Sequence, residues 1–176
     1  MKYKNALLFI LMFLFVAPFI TNGGNLRAQN FPDGSPIPGW FSDTSILPLS
    51  TLGKQYALND YEVKSDSTVV QTEKIQAIID KASEAGGGVV VVPKGVYLTG
   101  SLFFKPNTHL YIEKGATLKG SDDISDFKII STRIEGQSVK YFAALINADG
   151  VDGFSISGGG IINGNGLRYW KAFWLR

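Results

Sequence analysis

The sequence has 176 residues, enough for one domain with a sizeable core, and a formal net charge of +2. It contains no cysteine, which excludes a disulfide framework and cysteine-based metal or redox chemistry. If residues 1–28 are removed as a leader, 14 basic and 15 acidic residues remain, a formal charge of −1. This balance leaves no basic excess for nucleic acid or an anionic membrane, so we predict neither as a partner.

The N-terminus has the layout of a secretory signal peptide. Lys2 and Lys4 precede an uncharged apolar run over residues 6–20, and a polar stretch then leads to Leu26-Arg27-Ala28. A basic start, a short apolar segment and a small final residue are typical of signal peptides. A membrane anchor is the alternative, but the run is short for a span of about 20 residues. We therefore predict a signal peptide over residues 1–28 and a secreted or periplasmic mature protein.

The next segment, residues 29–52, is rich in proline, glycine and serine and is predicted to be an extended lead-in. A short strand is predicted from Tyr56 to Val63. Apolar residues then recur at the spacing of one helical face. They are Ile75, Ile78, Ile79 and Ala82. Thr72 is the predicted N-cap of this helix, and Gly86 is suited to the left-handed position after its last turn.

Beyond Gly88 the pattern changes to short β-branched or aromatic runs bounded by Gly, Asn, Asp or Pro. These runs are residues 89–92, 96–104, 109–113, 117–118, 143–146, 154–156 and 161–162. Many gaps are too short for the helical crossovers of an α/β sheet. Two all-β architectures remain, an antiparallel β-sandwich and a stack of parallel coils capped by the single helix. Single glycine and asparagine corners favour the coils, but periodicity alone leaves both open.

Five ordered motifs extend from the predicted helix to a glycine-rich block, at residues 72–80, 85–100, 109–121, 144–146 and 156–166. Together they resemble the polygalacturonase family of glycoside hydrolases, family twenty-eight, within the pectin lyase-like superfamily. The resemblance runs from about Tyr56 to Trp170. It implies an all-β fold, a right-handed parallel β-helix of which this sequence supplies the first coils, with an N-terminal capping α-helix. Residues 53–176 are then the N-terminal part of a glycosidase domain.

The resemblance also implies an exported enzyme that hydrolyses galacturonosyl or rhamnogalacturonan linkages of pectic polysaccharide with inversion. Inversion needs one carboxylic acid and one carboxylate base, separated widely enough to admit water. In the family these aspartates lie in an Asn-x-Asp motif and an Asp-Asp pair, downstream of the block matched here. Neither occurs in this sequence in the right context. We therefore expect an N-terminal fragment with no catalytic residue, no cofactor and no metal site, inactive by itself unless downstream sequence completes it.

Three other features favour structural interpretations. Asp122-Asp123 follows a strand directly and is predicted to be a surface loop, since the family's catalytic pair lies further along the chain. His109, the only histidine, is predicted to be solvated or to pack between coils. The glycines at 86–88 follow a helix and precede a strand, the reverse of a dinucleotide-binding loop, and those at 158–166 also fail its spacing. Both glycine runs are predicted to form coil corners.

Candidate saccharide-binding residues lie near the end of the sequence and in the long connection from Asp122 to Lys140. They are Arg133, Arg168, Trp170 and Trp174. Tryptophan stacks on sugar faces, and arginine pairs with uronate carboxylates. Against this, Tyr169, Phe173 and Trp174 have a helical spacing suited to packing on a coil, and the connection is also typical of a solvated loop.

Two alternatives to a hydrolase fragment stay open. One is a non-catalytic remnant that binds acidic polysaccharide through these four residues. The other is a fragment of a β-helical polysaccharide lyase, a class that typically uses calcium-linked acidic clusters, which the sequence does not display.

Overall fold

The computed structural model describes residues 30–41 and 43–175, so the predicted signal peptide lies outside the described residues. The chain divides into two compact units, residues 1–44 and 45–176. In the first unit, Asn30 bridges to Pro36, and a short 3-10 helix covers Gly39–Phe41. The Trp40 ring stacks on Phe41 with centroids 4.0 Å apart. Across the described residues, every helix is too short or too polar to cross a bilayer.

The second unit consists of twelve short strands and two α-helices within its described residues. The strands are β1 (Gln55–Ala57), β2 (Asp66–Val70), β3 (Gly88–Val92), β4 (Gly95–Thr99), β5 (Leu102–Phe103), β6 (Thr108–Ile112), β7 (Ala116–Gly120), β8 (Ile129–Ile134), β9 (Gln137–Phe142), β10 (Ile146–Asn147), β11 (Ser155–Gly158) and β12 (Ile161–Asn163). The helices are α1 (Thr72–Glu84) and α2 (Leu167–Trp174). Short 3-10 helices cover Leu49–Thr51, Leu58–Tyr61 and Ile124–Asp126.

The strands stack into three parallel ladders, which identifies the fold as a right-handed parallel β-helix. One ladder has the order β1-β3-β6-β11, the second β12-β7-β4-β2, and the third pairs β10 with β5. Four successive coils each contribute one strand to the first two ladders, and the two middle coils also contribute β5 and β10 to the third, so residues far apart in sequence lie directly above one another. Val90, for example, pairs with Leu110 twenty residues later. The prediction of a parallel β-helix is confirmed, and the β-sandwich is excluded.

Alternation along each strand fills the interior of the coils. In β6, Thr108, Leu110 and Ile112 are buried, whereas His109 and Tyr111 are partly exposed, as the sequence predicts. Equivalent positions on successive coils form columns of apolar side chains. One column runs Tyr56, Val90, Leu110, and another runs Tyr97, Leu118. Each such side chain contributes roughly 1.5–3 kcal/mol by leaving water, so the coils are held together by stacking as well as by the backbone ladder.

Helix α1 closes one end of the stack. Its buried face is the predicted one, Ile75, Ile78, Ile79 and Ala82. Gln76 joins this helix to the coil of β3, β4 and β5, because its Oε1 accepts from the Phe103 N–H at 2.8 Å and its Nε2 donates to the Phe103 carbonyl at 2.9 Å. The amide of Gln76 therefore occupies both backbone hydrogen-bonding groups of one residue in β5, as a neighbouring strand would.

The predicted N-cap is wrong. Thr72 is the first helical residue, and the cap position belongs to Gln71, whose carbonyl accepts from the Ile75 N–H at 3.1 Å. The Thr72 hydroxyl oxygen is engaged elsewhere, accepting from the Gly100 N–H at 2.6 Å. The C-terminal prediction is confirmed, since Gly86 has φ +91°.

Two further predictions are corrected. The strand expected from Tyr56 to Val63 ends at Ala57, because the chain turns into the 3-10 helix Leu58–Tyr61. The connection from Asp122 to Lys140 is not a loop, because it contains the antiparallel hairpin of β8 and β9. Glu135 and Gly136 form its two-residue turn with φ values of +51° and +83°. Positive φ at both central residues matches the twist of the flanking strands, although glutamate is an unusual residue there.

The second glycine run supplies a tight corner between coils, as predicted. Gly158 has φ +104°, a conformation that other residues rarely adopt. A Cβ atom at Gly158 would overlap the carbonyl oxygen of Ile112 on the coil before it. Only glycine therefore lets β11 approach β6 at this point.

A polypeptide of residues 29–176 is expected to self-associate. The outer edges of β11 and β12 carry no partner strand among the described residues, and Ile156, Ile161 and Ile162 are exposed on them. Unpaired edges with apolar side chains are templates for pairing with another chain. Sedimentation velocity should show oligomers that Ile161→Lys reduces. Ile134→Lys, which removes an exposed isoleucine from the hairpin, is the matched control and should change little. A monomer that unfolds cooperatively would contradict the expectation.

Candidate functional site

An open cleft of about 560 Å³ lies between helix α2 and the end of the β8–β9 hairpin. Its lining is aromatic and aliphatic. The lining residues are Ile124, Tyr141, Phe142, Tyr169, Trp170, Ala172, Phe173 and Trp174. The volume falls within the range of roughly 300–1,000 Å³ typical of small-ligand sites. Three elements thus meet at this cleft: the 3-10 helix at Ile124–Asp126, strand β9 and helix α2.

Two hydrogen bonds fix helix α2 to the end of strand β7. The Tyr169 hydroxyl donates to the Ser121 carbonyl oxygen at 3.0 Å, and the Asn165 Nδ2 donates to the Gly120 carbonyl oxygen at 3.0 Å. Asn165 has φ +49°, a left-handed conformation that asparagine tolerates better than most residues. The chain can therefore turn sharply after β12 and bring α2 back along the preceding coil.

The turn after β7 supports the opposite side of the cleft. The Ser121 hydroxyl donates a short hydrogen bond to the Asp126 carboxylate and accepts from the Asp123 N–H at 3.0 Å. The Asp123 carboxylate accepts from both the N–H and the hydroxyl of Ser125, at 2.9 and 2.8 Å. These two bonds hold the pKa of Asp123 below its usual value. The predicted Asp122-Asp123 surface loop is therefore an ordered turn with exposed carboxylates.

Tyr169 is the polar anchor of the cleft wall. Burial raises the pKa of its phenol, and the nearby carboxylates of Asp122, Asp123 and Asp126 raise it further, while Arg168 acts in the opposite direction. Its ring also contacts Phe127 edge to face, with centroids 6.5 Å apart. The packing role predicted for Tyr169 is thus observed.

Two of the four predicted binding residues lie in the cleft. The indole rings of Trp170 and Trp174 are nearly parallel, 8° apart in orientation, with centroids separated by 5.9 Å. They are 61% and 68% exposed. Phe173 contacts Trp174 edge to face and is 67% exposed. The packing role predicted for Phe173 and Trp174 is therefore not observed, because both side chains face outward from the described coils.

The two predicted arginines lie outside the lining of the cleft. Arg168 Nη1 is 4.0 Å from Asp122 Oδ2, and both side chains are largely exposed. Arg133 is near the tip of the hairpin, where its Nη2 donates to the Gly136 carbonyl oxygen at 3.2 Å. Arg168 is thus on the same helix as Trp170 and Trp174 but outside the cleft lining, whereas Arg133 lies at the turn of another element.

Sequence reasoning missed the wall of the cleft formed by Ile124, Tyr141 and Phe142. The missed signal was the β-branched and aromatic content of residues 129–134 and 137–142, which are directly opposed in the hairpin. His109 is not part of the cleft. Its Nδ1 lies 2.8 Å from the Ser155 hydroxyl on the next coil, which agrees with the predicted packing role. Among residues 30–41 and 43–175, no three potential metal-ligating side chains converge.

A second cavity, of about 600 Å³, lies where helix α1 meets the coil ends. Its lining is more polar and includes Glu73, Gln76, Asp80 and Lys128. Burial opposes ionisation of Asp80, but hydrogen bonds from Lys105 and Gln76 outweigh it and lower the pKa. Lys105 Nζ lies 2.8 Å from Asp80 Oδ1. The polar groups of this cavity are thus largely engaged with one another.

The chain resembles several characterised proteins, although no protein-family profile matches it. An exo-poly-α-D-galacturonosidase of Dickeya chrysanthemi is 34% identical over 138 residues, which are 74% of this chain and 22% of that enzyme. A Vitis vinifera protein named as a polygalacturonase is 27% identical, over 71% of this chain and 27% of that protein. Alginate lyase 7 of Azotobacter vinelandii is 36% identical over 64 residues, 32% of this chain and 8% of the lyase. The chain therefore spans about a quarter or less of these relatives.

The chain is also similar to solved structures of glycosyl hydrolases. A Parabacteroides merdae protein described as a glycosyl hydrolase has a TM-score of 0.59 and 34% identity, covering 69% of this chain and 49% of that protein. An exopolygalacturonase of Thermotoga maritima has a TM-score of 0.59 and 28% identity, covering 64% of this chain and 25% of that enzyme. A family 28 exopolygalacturonase of Yersinia enterocolitica has a TM-score of 0.58 and 28% identity, covering 64% of this chain and 21% of that enzyme.

Because the pKa of Tyr169 is raised, the contribution of its phenol to the free energy of unfolding changes with pH in the alkaline range. Up to about pH 10 the phenol is protonated in the folded and unfolded chains. Above that, the unfolded phenol ionises first, so the contribution falls as pH rises through the folded pKa. We expect Tyr169→Phe to lower the free energy of unfolding by about 1 kcal/mol at neutral pH, and the difference to shrink in alkali.

Denaturant titrations of both chains between about pH 8 and pH 12 bracket the ordinary pKa of tyrosine and measure this difference. Tyr141→Phe, on the opposite wall of the cleft, controls for the loss of a phenolic hydroxyl. A difference between the Tyr169→Phe chain and the unmodified chain that stays constant through the alkaline range would contradict the linkage.

Proposed function

We propose that this chain, a relative of the polygalacturonases of glycoside hydrolase family 28, contributes to hydrolysis of galacturonosyl or rhamnogalacturonan linkages in pectic polysaccharide. Residues 53–176 would form the N-terminal cap and first coils of the catalytic β-helix. The observation that carries the proposal is 34% identity to an exo-poly-α-D-galacturonosidase over 138 residues, joined to a stack of parallel coils. Residues 1–28 would direct export to the periplasm or the medium, because they have the layout of a signal peptide.

We place the catalytic acid and base outside these 176 residues. A general acid in a glycosidase needs a raised carboxyl pKa. The pKa shifts of Asp66, Asp80 and Asp123 are all downward, each with hydrogen bonds to its carboxylate. Asp123 is held by Ser125, and Asp122 faces Arg168, so this adjacent pair has structural partners. The resembled family carries a catalytic aspartate in an Asn-x-Asp motif downstream of its glycine-rich block, whereas the Asn-x-Asp triplet of this sequence, Asn147-Ala148-Asp149, precedes that block at residues 156–166.

The aromatic cleft is proposed to hold pectic sugar. Trp170 and Trp174 offer exposed indole faces on which the apolar face of a pyranose ring can stack. Arg168 lies outside the cleft lining, where it can pair with a uronate carboxylate if it leaves Asp122. Arg133 is proposed as a further cation for the polysaccharide along the hairpin. No cofactor is required for this role.

A polysaccharide lyase fragment is the second candidate, favoured by the 64-residue likeness to alginate lyase 7. The matched stretch is about half as long as the one shared with the galacturonosidase, so hydrolysis is the stronger proposal. Products distinguish the two reactions, because a lyase leaves an unsaturated, ultraviolet-absorbing sugar and a hydrolase does not.

Hydrolysis is tested with the 176-residue chain and with a chimera. In the chimera, residues 53–176 replace the aligned segment of the Dickeya enzyme. The chain alone should release no reducing ends from polygalacturonate, because both catalytic carboxylates are proposed to lie outside it. The chimera should release reducing ends without unsaturated products. Robust reducing-end release by the chain alone would refute the placement of the catalytic groups, and unsaturated products from the chimera would favour the lyase.

Sugar binding is tested by titrating the chain with galacturonan oligomers while following tryptophan fluorescence. Trp170→Ala should weaken binding about tenfold, equivalent to about 1.4 kcal/mol, because it removes one stacking face. Trp40→Ala is the matched control, since Trp40 is also exposed but does not line the cleft. Arg133→Gln and Arg168→Gln should weaken binding of charged oligomers, with a larger effect at low salt. The absence of saturable binding would remove the cleft from the proposal.

A further inference from the structure

We propose that the cleft between helix α2 and the hairpin receives methyl-esterified galacturonate in preference to free galacturonate. This inference rests on the proposed pectic ligand and specifies which form of it enters. Pectic galacturonate occurs as the free acid, which is anionic, and as the methyl ester, which is neutral and carries an apolar methyl group. The two forms differ in charge at one substituent, so the chemistry of the cleft wall decides between them.

No described residue that lines the cleft carries a charge. All eight lining residues are aliphatic or aromatic. The Tyr169 hydroxyl, one of the few polar groups among them, already donates to the Ser121 carbonyl oxygen. A carboxylate that left water to enter this lining would lose its hydration without gaining a cation, which is costly. A methyl ester would place its methyl group against aromatic rings instead, which is favourable.

The charges around the cleft also disfavour an anion. Asp122, Asp123 and Asp126 lie on the Tyr169 side, close enough to act on its phenol. Three cations adjoin the lining in sequence: the Arg168 guanidinium faces Asp122 at 4.0 Å, and the exposed Lys140 and Lys171 are not lining residues. An incoming carboxylate would therefore find cations only outside the lining of the cleft.

The cleft has the surfaces that a neutral sugar needs. Trp170 and Trp174 present parallel ring faces, and Tyr141 and Phe142 form the facing wall with ring centroids 4.2 Å apart. Stacking on aromatic rings buries the C–H face of a pyranose and does not require charge. Free carboxylates elsewhere on the same polymer would remain outside, where Arg168 and Arg133 are exposed. The cleft would thus select an esterified unit within a polymer that is charged elsewhere.

The test compares three oligosaccharides of equal length with the full chain, by calorimetry and tryptophan fluorescence: fully methyl-esterified galacturonide, de-esterified galacturonide and a neutral cello-oligosaccharide. The esterified oligomer should bind at least about fivefold more tightly than the other two. Trp170→Ala should abolish this preference, and Trp40→Ala should preserve it. Ala172→Lys, which places a cation in the lining, should reverse the preference towards the de-esterified oligomer.

Each contrary outcome has a distinct meaning. Equal or tighter binding of the de-esterified oligomer would overturn this inference and leave the pectic ligand of the proposed function intact. Binding of neither galacturonide would overturn this inference and the proposed role of the cleft together. Equal binding of the cello-oligosaccharide would also overturn the inference, because it would show that the cleft binds the face of any sugar ring and does not recognise the methyl ester. Loss of the preference in Trp40→Ala would show that the preference does not arise in the cleft.

Discussion

Hydrogen bonding between successive coils governs the architecture of this protein, because almost every strand finds its partner one coil away rather than next in sequence. The backbone N–H and C=O groups of β3 are paired with β1 on one side and with β6 on the other. This arrangement forces equivalent residues into columns, so that Val90 lies on Leu110 and Tyr97 on Leu118. These columns are largely apolar because a buried polar group would need a hydrogen-bond partner there, and the buried Tyr56 hydroxyl finds none among the described residues.

The same constraint explains how a large insertion is tolerated. Between β6 and β11 the paired residues are 46 positions apart, compared with 20 between β3 and β6. Much of the additional length is the β8–β9 hairpin, which satisfies its backbone groups internally and leaves the ladders in register. One wall of the cleft is built from this hairpin and the other from helix α2. The candidate site therefore lies on elements added to the coils, while the coils themselves supply the fixed frame.

The sequence predicted elements whose signals are local. The face of α1 through Ile75, Ile78 and Ile79 is confirmed, as is the alternation in β6, because periodicity reports directly on burial. The resemblance to polygalacturonases is confirmed by relatives and solved structures, and it decided between coils and a sandwich where periodicity did not. The hairpin escaped prediction because Glu135 is not typical of its turn. Thr72 was misplaced by one residue because a tertiary contact to Gly100 uses its hydroxyl.

The candidate site was predictable only in part. Trp170 and Trp174 stand out in sequence as aromatic residues beside cations, and both line the cleft. Their partners across the cleft, Tyr141 and Phe142, are nearly thirty residues earlier and are positioned by the hairpin. Arg133 is chemically similar to Arg168 but lies at the tip of the hairpin, a distinction that only pairing in space reveals.

The side-chain amide of Gln76 has a consequence for how such a protein can vary in length. Because Phe103 already gives both its N–H and its C=O to this amide, another strand cannot pair there without displacing helix α1. Helix α1 thereby closes the β5–β10 ladder at β5, while β10 has no second partner strand among the described residues. A further coil can extend this ladder beside β10 without displacing the helix, but not beside β5, so α1 sets the end from which the ladder grows.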